Sequence, residues 1–282
     1  MHKIDTPLSK EASLNLALSS PDARAVPAQM QGIMGCARHQ GGRSSQQDQA
    51  LCLTSEDKRC QFLVVADGVG GHLGGELASR CVVEVAVQMF STLLEHRLKP
   101  AEFLSQFCAQ ANQEIRARAT SAGSEAYSTV AALLVDETRA YWAHVGDSRL
   151  YGFKGGALIH QTRDHSLVQQ LFEQGKITAA ERATHPDRNQ VRQVLGMAAT
   201  VSPTFGEMAL SADCAFLLCT DGFWEHMAPA EMALVLSAED LAFTAALWVR
   251  QAARRGGAQG DNVGLALWRA PRPVARRWSF FR

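Results

Sequence analysis

The chain has 282 residues, 46% of them hydrophobic and 20% charged, enough apolar surface for one large globular domain or two small ones. Its 28 basic residues match its 28 acidic ones, so no overall field draws it to nucleic acid or a membrane, and binding phosphate would need a local site. No stretch approaches the ~18 apolar residues of a membrane span, and no two of its cysteines form a C-x-x-C pair, which argues against structural zinc and for reduced, buried thiols in a soluble cytoplasmic protein.

Residues 1–28 mix Ser, Ala, Pro and charge without a period; their longest apolar run is Leu16-Ala17-Leu18, which reads as a flexible tail and not a signal peptide. A short strand is expected over 51–54, closed by a charged turn at Glu56-Asp57-Lys58, and a buried strand over 61–66, ending in Asp67-Gly68. From 75 to 96, Leu77, Cys81, Val85, Met89 and Leu93 recur every four residues, with Ala78, Val82, Ala86, Phe90 and Leu94 beside them. That broad apolar stripe predicts a helix lying on a sheet. Residues 101–120 repeat the pattern with Phe103, Phe107, Ala111 and Ile115.

Strands are expected at 129–135, 140–145, 149–153 and 157–161, punctuated by glycines and charges as in an antiparallel meander. Residues 165–200 are more polar and predict a helical, flap-like insertion. A buried strand at 215–219, helices at 229–237 and 239–254, and a last strand at 263–268 follow, and 270–282 form a basic, Pro-containing tail. Helices and strands come in blocks, which favours an α+β fold over a doubly wound sheet.

Four aspartates fall at the borders of these buried strands: Asp67, Asp147, Asp221 and Asp261. Singly, each suits a turn, because Asp bonds its own backbone and Asp-Gly is a common turn pair. Together they suggest more, since clustered carboxylates raise one another's pKa unless a cation neutralises them. Oxygen ligands without paired His or Cys favour Mg²⁺ or Mn²⁺ over zinc. Two divalent ions among Asp67, Asp221 and Asp261, with Arg43 alongside, would leave a positive pocket suited to a phosphomonoester dianion.

The blocks Arg43-Ser44-Ser45-Gln46-Gln47-Asp48, Val65-Ala66-Asp67-Gly68-Val69-Gly70-Gly71, Ser128-Thr129, Val145-Gly146-Asp147-Ser148-Arg149, Thr162-Arg163-Asp164-His165-Ser166, His185-Pro186, Leu218-Cys219-Thr220-Asp221-Gly222-Phe223-Trp224 and Gly260-Asp261-Asn262-Val263 share order and spacing with one family. From about Gly32 to Trp268 the chain resembles the metal-dependent protein phosphatases of the PPM, or type 2C, family, particularly its compact bacterial members.

The resemblance implies a four-layer α-β-β-α sandwich: two antiparallel sheets flanked by helices, as one phosphatase domain over 29–269 with its flap at 165–200. It implies that Asp67 bridges two Mg²⁺ or Mn²⁺ ions, that the Gly68 carbonyl binds the second, and that Asp221 and Asp261 complete the shell of the first. Asp147 matches the position of a third, weaker ion, Asp48 would orient the attacking water, and Arg43 would hold two phosphate oxygens. The implied reaction is two-metal hydrolysis of phosphoserine and phosphothreonine in proteins, in a monomer that opposes a Ser/Thr kinase.

Three departures stand out. Gln47 occupies a position where the family usually has Glu; its amide oxygen can face a metal but without formal charge, so weaker occupancy of the second metal is expected. Gly264 stands where Thr is common, which would loosen a local hydrogen bond. Val69 stands where animal members have a catalytic His; metal-bound water is then the favoured proton donor, with His72, which could instead pack or cap the helix, as the lesser candidate. Two other readings compete: a catalytically weakened, phosphoprotein-binding regulator of the same family, suggested by Gln47, and a dinucleotide-binding oxidoreductase, suggested by Gly68-x-Gly70-x-x-x-Gly74. Against the latter, Asp67 would face the pyrophosphate.

Overall fold

The structure, a computed structural model, describes residues 32–96 and 98–271; the expected tail at 1–28 and all but the first two residues of that at 270–282 lie outside the described residues. In chain order the elements are β1 (Ile33–His39), β2 (Asp48–Thr54), β3 (Gln61–Val69), α1 (His72–His96), α2 (Pro100–Ala122), β4 (Tyr127–Ser128), β5 (Val130–Val135), β6 (Arg139–Val145), β7 (Arg149–Lys154) and β8 (Ala157–Gln161). There follow α3 (Leu167–Glu173), α4 (Ala179–Thr184), β9 (Thr204–Ala209), β10 (Cys214–Cys219), α5 (Asp221–Trp224), α6 (Pro229–Ser237), α7 (Leu241–Gly256) and β11 (Val263–Arg269).

The strands form two antiparallel sheets, in the orders β1-β11-β10-β7-β8 and β2-β3-β5-β6-β9, with β4 paired to β3. Three apolar cores fill the spaces between four layers. Phe62, Val64 and Ala66 of β3 face α1 and α2, whereas Leu63 and Val65 face the other sheet. Likewise Leu217 and Cys219 of β10 face α7, while Phe216 and Leu218 point between the sheets. Central strands buried on both faces read as continuous apolar runs, which is why they were legible without alternation. Phe62 anchors the helical layer, its ring centroid 5.8, 5.1 and 5.4 Å from those of Phe90, Phe103 and Phe107.

Several expectations change in detail. β3 does not end at Asp67; it runs on to Val69 because Gly68 and Val69 pair with Ser128 and Tyr127. The expected meander is split, since β5 and β6 stay in one sheet while β7 and β8 join the other, with Gly146-Asp147-Ser148 crossing between them. Two edge strands, β1 and β9, had no sequence expectation. The flap region holds α3 and α4, capped by the Ser166 and Thr178 hydroxyls. The dinucleotide reading fails: the sheets are antiparallel, and Gly68 lies inside a strand instead of at a strand-to-helix turn. Among the described residues no helix is long and apolar enough to cross a membrane.

Candidate active site

The acidic residues gather at one end of the sandwich, and both sheets contribute. Asp48 and Asp67 stand directly opposite each other in the β2–β3 ladder. Asp221 follows β10 by two residues and Asp261 precedes β11 by two, while Asp147 lies in the crossover between the sheets. Burial, followed by the charges of Asp48, Asp221, Asp147 and Asp261, pushes the Asp67 carboxyl well above its ordinary range. Burial and the charges of Asp147, Asp261 and Asp48 do the same to Asp221. Burial also lifts Asp48 to about 7 and Asp147 to about 6.

Asp48, Asp67 and Asp147 are held by their surroundings. The Thr220 hydroxyl donates to Asp48 Oδ2 at 2.7 Å and accepts from the Gly264 N–H at 2.7 Å. The expected looseness at Gly264 is therefore not seen at its backbone, which completes this link across the two sheets. Thr129 fixes Asp67: its Oγ1 accepts from the Asp67 N–H at 3.1 Å and its N–H donates to the Asp67 carbonyl at 2.8 Å. The Trp224 indole donates to the Asp147 carbonyl at 3.0 Å. Arg149, forked onto Asp164 at 2.8 and 2.7 Å, lies 3.5 Å above the Trp224 ring and steadies it.

The loop at 40–47 brings the remaining candidates. Arg43 Nη2 pairs with Asp261 Oδ2 at 2.6 Å. Asn262 clamps the loop: its amide donates to the carbonyls of Gln40 and Ser45 at 2.6 and 3.0 Å and accepts the Gln47 N–H at 2.7 Å. Gln47 in turn accepts from the Gly68 N–H through its carbonyl at 3.1 Å. A Cβ on Gly75, in the first turn of α1, would stand 2.5 Å from the Gly68 carbonyl oxygen and 2.6 Å from the Gln47 side-chain nitrogen. Only glycine there lets the helix close over both. Asn262 was the member sequence reasoning passed over; its place beside Asp261 was the one available signal.

Among the described residues no three His, Cys, Asp or Glu side chains stand close enough to grip an ion as placed. The donor chemistry nonetheless fits a hard divalent cation. Asp221 Oδ1 is buried with no hydrogen-bond partner, and the burial and mutual repulsion that raise the Asp67 and Asp221 carboxyls are what a cation among them would relieve. Asp261 meets that shortage by pairing with Arg43.

A family profile described as protein phosphatase 2C matches residues 36–259. The chain belongs to the protein phosphatase 2C family. Within that family it is similar to protein phosphatase PhpP of Streptococcus pneumoniae serotype 2, with 30% identity over 212 residues that span 73% of this chain and 84% of PhpP. The solved serine/threonine phosphatase of S. agalactiae superposes with a TM-score of 0.73 at 27% identity, covering 85% of this chain and all (100%) of that one. The catalytic domain of the serine/threonine phosphatase PstP, solved in complex with 2 manganese ions, superposes with a TM-score of 0.71 at 25% identity over 86% of this chain and 99% of that one. The architecture of this protein phosphatase 2C member is thus the four-layer one that the resemblance implied. The weakened-regulator reading is not favoured.

Proposed function

We propose that this chain hydrolyses phosphoserine and phosphothreonine monoesters in proteins with the help of divalent metal ions. The observation that carries the reading is the convergence of Asp67, Asp221 and Asp261, with Asp48 and Asp147, at one end of the two sheets.

Asp67, Asp221 and Asp261 would hold two Mn²⁺ or Mg²⁺ ions, together with the Gly68 carbonyl and the Gln47 amide, and Asp147 would hold a third, weaker ion. Bound there, such ions acidify water and neutralise phosphate charge. The chain's own groups do the rest. Arg43, more than half exposed, swings from Asp261 to fork two phosphate oxygens and so sets the phosphorus in line for attack. Asp48, locked by Thr220, accepts a hydrogen bond from the attacking water and fixes its direction. Substrates would be proteins phosphorylated by an opposing Ser/Thr kinase, met by a monomer in the cytoplasm.

Hydrolysis of a phosphothreonine peptide with Mn²⁺ tests the reading. The wild type should turn over and both Asp67→Asn and Asp221→Asn should lose at least about 100-fold in kcat; variants as active as the wild type would overturn it.

A further inference from the structure

A pair of thiols lies outside the chemistry so far described. β1 is the edge strand of one sheet and β2 the edge strand of the other. They are joined by the 40–47 loop that carries Arg43 and Gln47. The two strands run past each other across the sandwich: the Arg38 guanidinium reaches the Asp48 carbonyl at 3.3 Å and Gln49 Oε1 at 2.5 Å. Strand alternation then decides which side chains meet. Gly35 of β1 abuts the backbone of Leu241 at the start of α7, where a Cβ would stand 2.3 Å away, so Met34 and Cys36 face inward. On β2, Asp48, Ala50 and Cys52 share the inward face. Cys36 and Cys52 accordingly lie in the same core between the sheets.

The two thiols are neighbours in that core, and each acts on the other's ionisation. The Cys52 thiol and backbone lower the Cys36 pKa against the opposing effect of burial. Other thiols move the opposite way: burial pushes Cys60 and Cys81 up to about 11 and Cys108 to about 12. Cys36 is also half-buried, whereas Cys81, Cys108, Cys214 and Cys219 are buried. A sulfur short of full burial, with a lowered pKa and a second thiol beside it, is the arrangement of a redox-sensitive pair.

We propose that Cys36 and Cys52 form a reversible disulfide on exposure to a peroxide, and that this disulfide switches the phosphatase down. The Cys36 thiolate attacks one peroxide oxygen, breaking the O–O bond, giving Cys36 sulfenic acid and releasing hydroxide. The Cys52 thiol then attacks the sulfenic sulfur, expelling water and forming the S–S bond. Two thiols lose two electrons and peroxide is reduced to water. A disulfide needs an S–S distance of ~2.05 Å, so β2 must draw toward β1. Asp48 lies four residues from Cys52 on the same strand face, and displacements of ~1 Å at a reacting centre cost on the order of 100-fold in rate. The functional half of the inference rests on the phosphatase reading; the disulfide itself does not.

Oxidation of the EDTA-treated protein with hydrogen peroxide, followed by removal of peroxide and reloading with Mn²⁺, tests it. Trypsin places Cys36 on a peptide of residues 25–38 and Cys52 on one of residues 44–58, each with no other cysteine, so their cross-link has a defined mass. The expected result is that cross-link, a fall in phosphopeptide turnover of about tenfold or more, recovery with dithiothreitol, and resistance in Cys36→Ser and Cys52→Ser. No cross-link, a cross-link with turnover unchanged, or an equal loss in Cys36→Ser would each overturn the proposal. Turnover absent already in the reduced wild type would count against the phosphatase reading, with the peptide map still deciding the disulfide.

Discussion

Arg43 and Asp261, 218 positions apart in the chain, form an ion pair at 2.6 Å. The pair joins the proposed phosphate-binding cation to a proposed metal ligand, so each holds the place of the other's working partner. Both side chains are more than a third exposed, and such pairs contribute about 0–1 kcal/mol.

Arg43→Ala should therefore leave thermal stability within about 1 kcal/mol of the wild type. Its KM for a phosphopeptide should rise about tenfold or more, and Arg43→Lys should recover only part, because an ammonium cannot fork two oxygens. Mn²⁺ should half-saturate the Ala variant at an equal or lower concentration, since Asp261 is released. Steady-state kinetics over a Mn²⁺ series checks this; an unchanged KM would remove Arg43 from the phosphate site.

The hydroxyl of Thr220 links Asp48 to the Gly264 N–H. Thr220→Val keeps the shape and removes the link, leaving a buried carboxyl short of a donor. The expected cost is about 1–3 kcal/mol in urea unfolding, with a lower kcat; Thr220→Ser should restore most of both. A Val variant of wild-type stability would show that Asp48 is held by other means.

The Gln47 amide and the Gly68 carbonyl both border the notch left by Gly75. Gln47→Glu adds a charge where a second cation is proposed, and should lower the Mn²⁺ concentration for half-maximal activity by about threefold or more. An unmoved Mn²⁺ dependence would place the amide outside the metal shell.

Burial raises Asp48 to about 7 and Asp147 to about 6, so the folded chain keeps protons that the unfolded chain releases near pH ~3.9. That contribution to stability is complete below about pH 4 and is lost as pH rises through 6 and 7. His165, pushed down to about 4 by burial and by His144, works in the opposite sense: its contribution is lost as pH falls from about 6.5 through 4. Asp48→Asn removes one carboxyl alone. In EDTA, chemical unfolding should show the variant gaining on the wild type as pH rises from 5 to 8, and Mn²⁺ should shrink the gain. A constant difference across that range would contradict the assigned shift.

What was legible in the sequence was local. Asp67-Gly68 after a buried run, Asp221 after another and the four-residue stripe of α1 each announce themselves within ten or twenty residues. β1 did not, because Met34-Gly35-Cys36-Ala37-Arg38 lacks β-branched residues and draws its order from β11 pairing more than 200 residues away. β9 is an exposed edge with mixed polarity. The transfer of β7 and β8 to the other sheet leaves no mark in either strand: β7 is buried on both faces and fits either sheet, and β8 is an exposed edge that only follows it. Asn262 was invisible as a clamp because its partners Gln40, Ser45 and Gln47 are 215 or more positions distant. The Arg43–Asp261 pair was unreadable for the same reason, although both residues were singled out separately.

Titration calorimetry of EDTA-stripped protein with Mn²⁺ at pH 7, in two buffers of different ionisation enthalpy, measures both ion binding and the protons it displaces. Carboxyls whose pKa is raised by burial and by one another should give up protons as Mn²⁺ enters, and Asp221→Asn should bind more weakly and release fewer. Folded wild type that takes up no Mn²⁺, or binds it with no proton release and unchanged in Asp221→Asn, would contradict the claim that these side chains are gathered to hold cations.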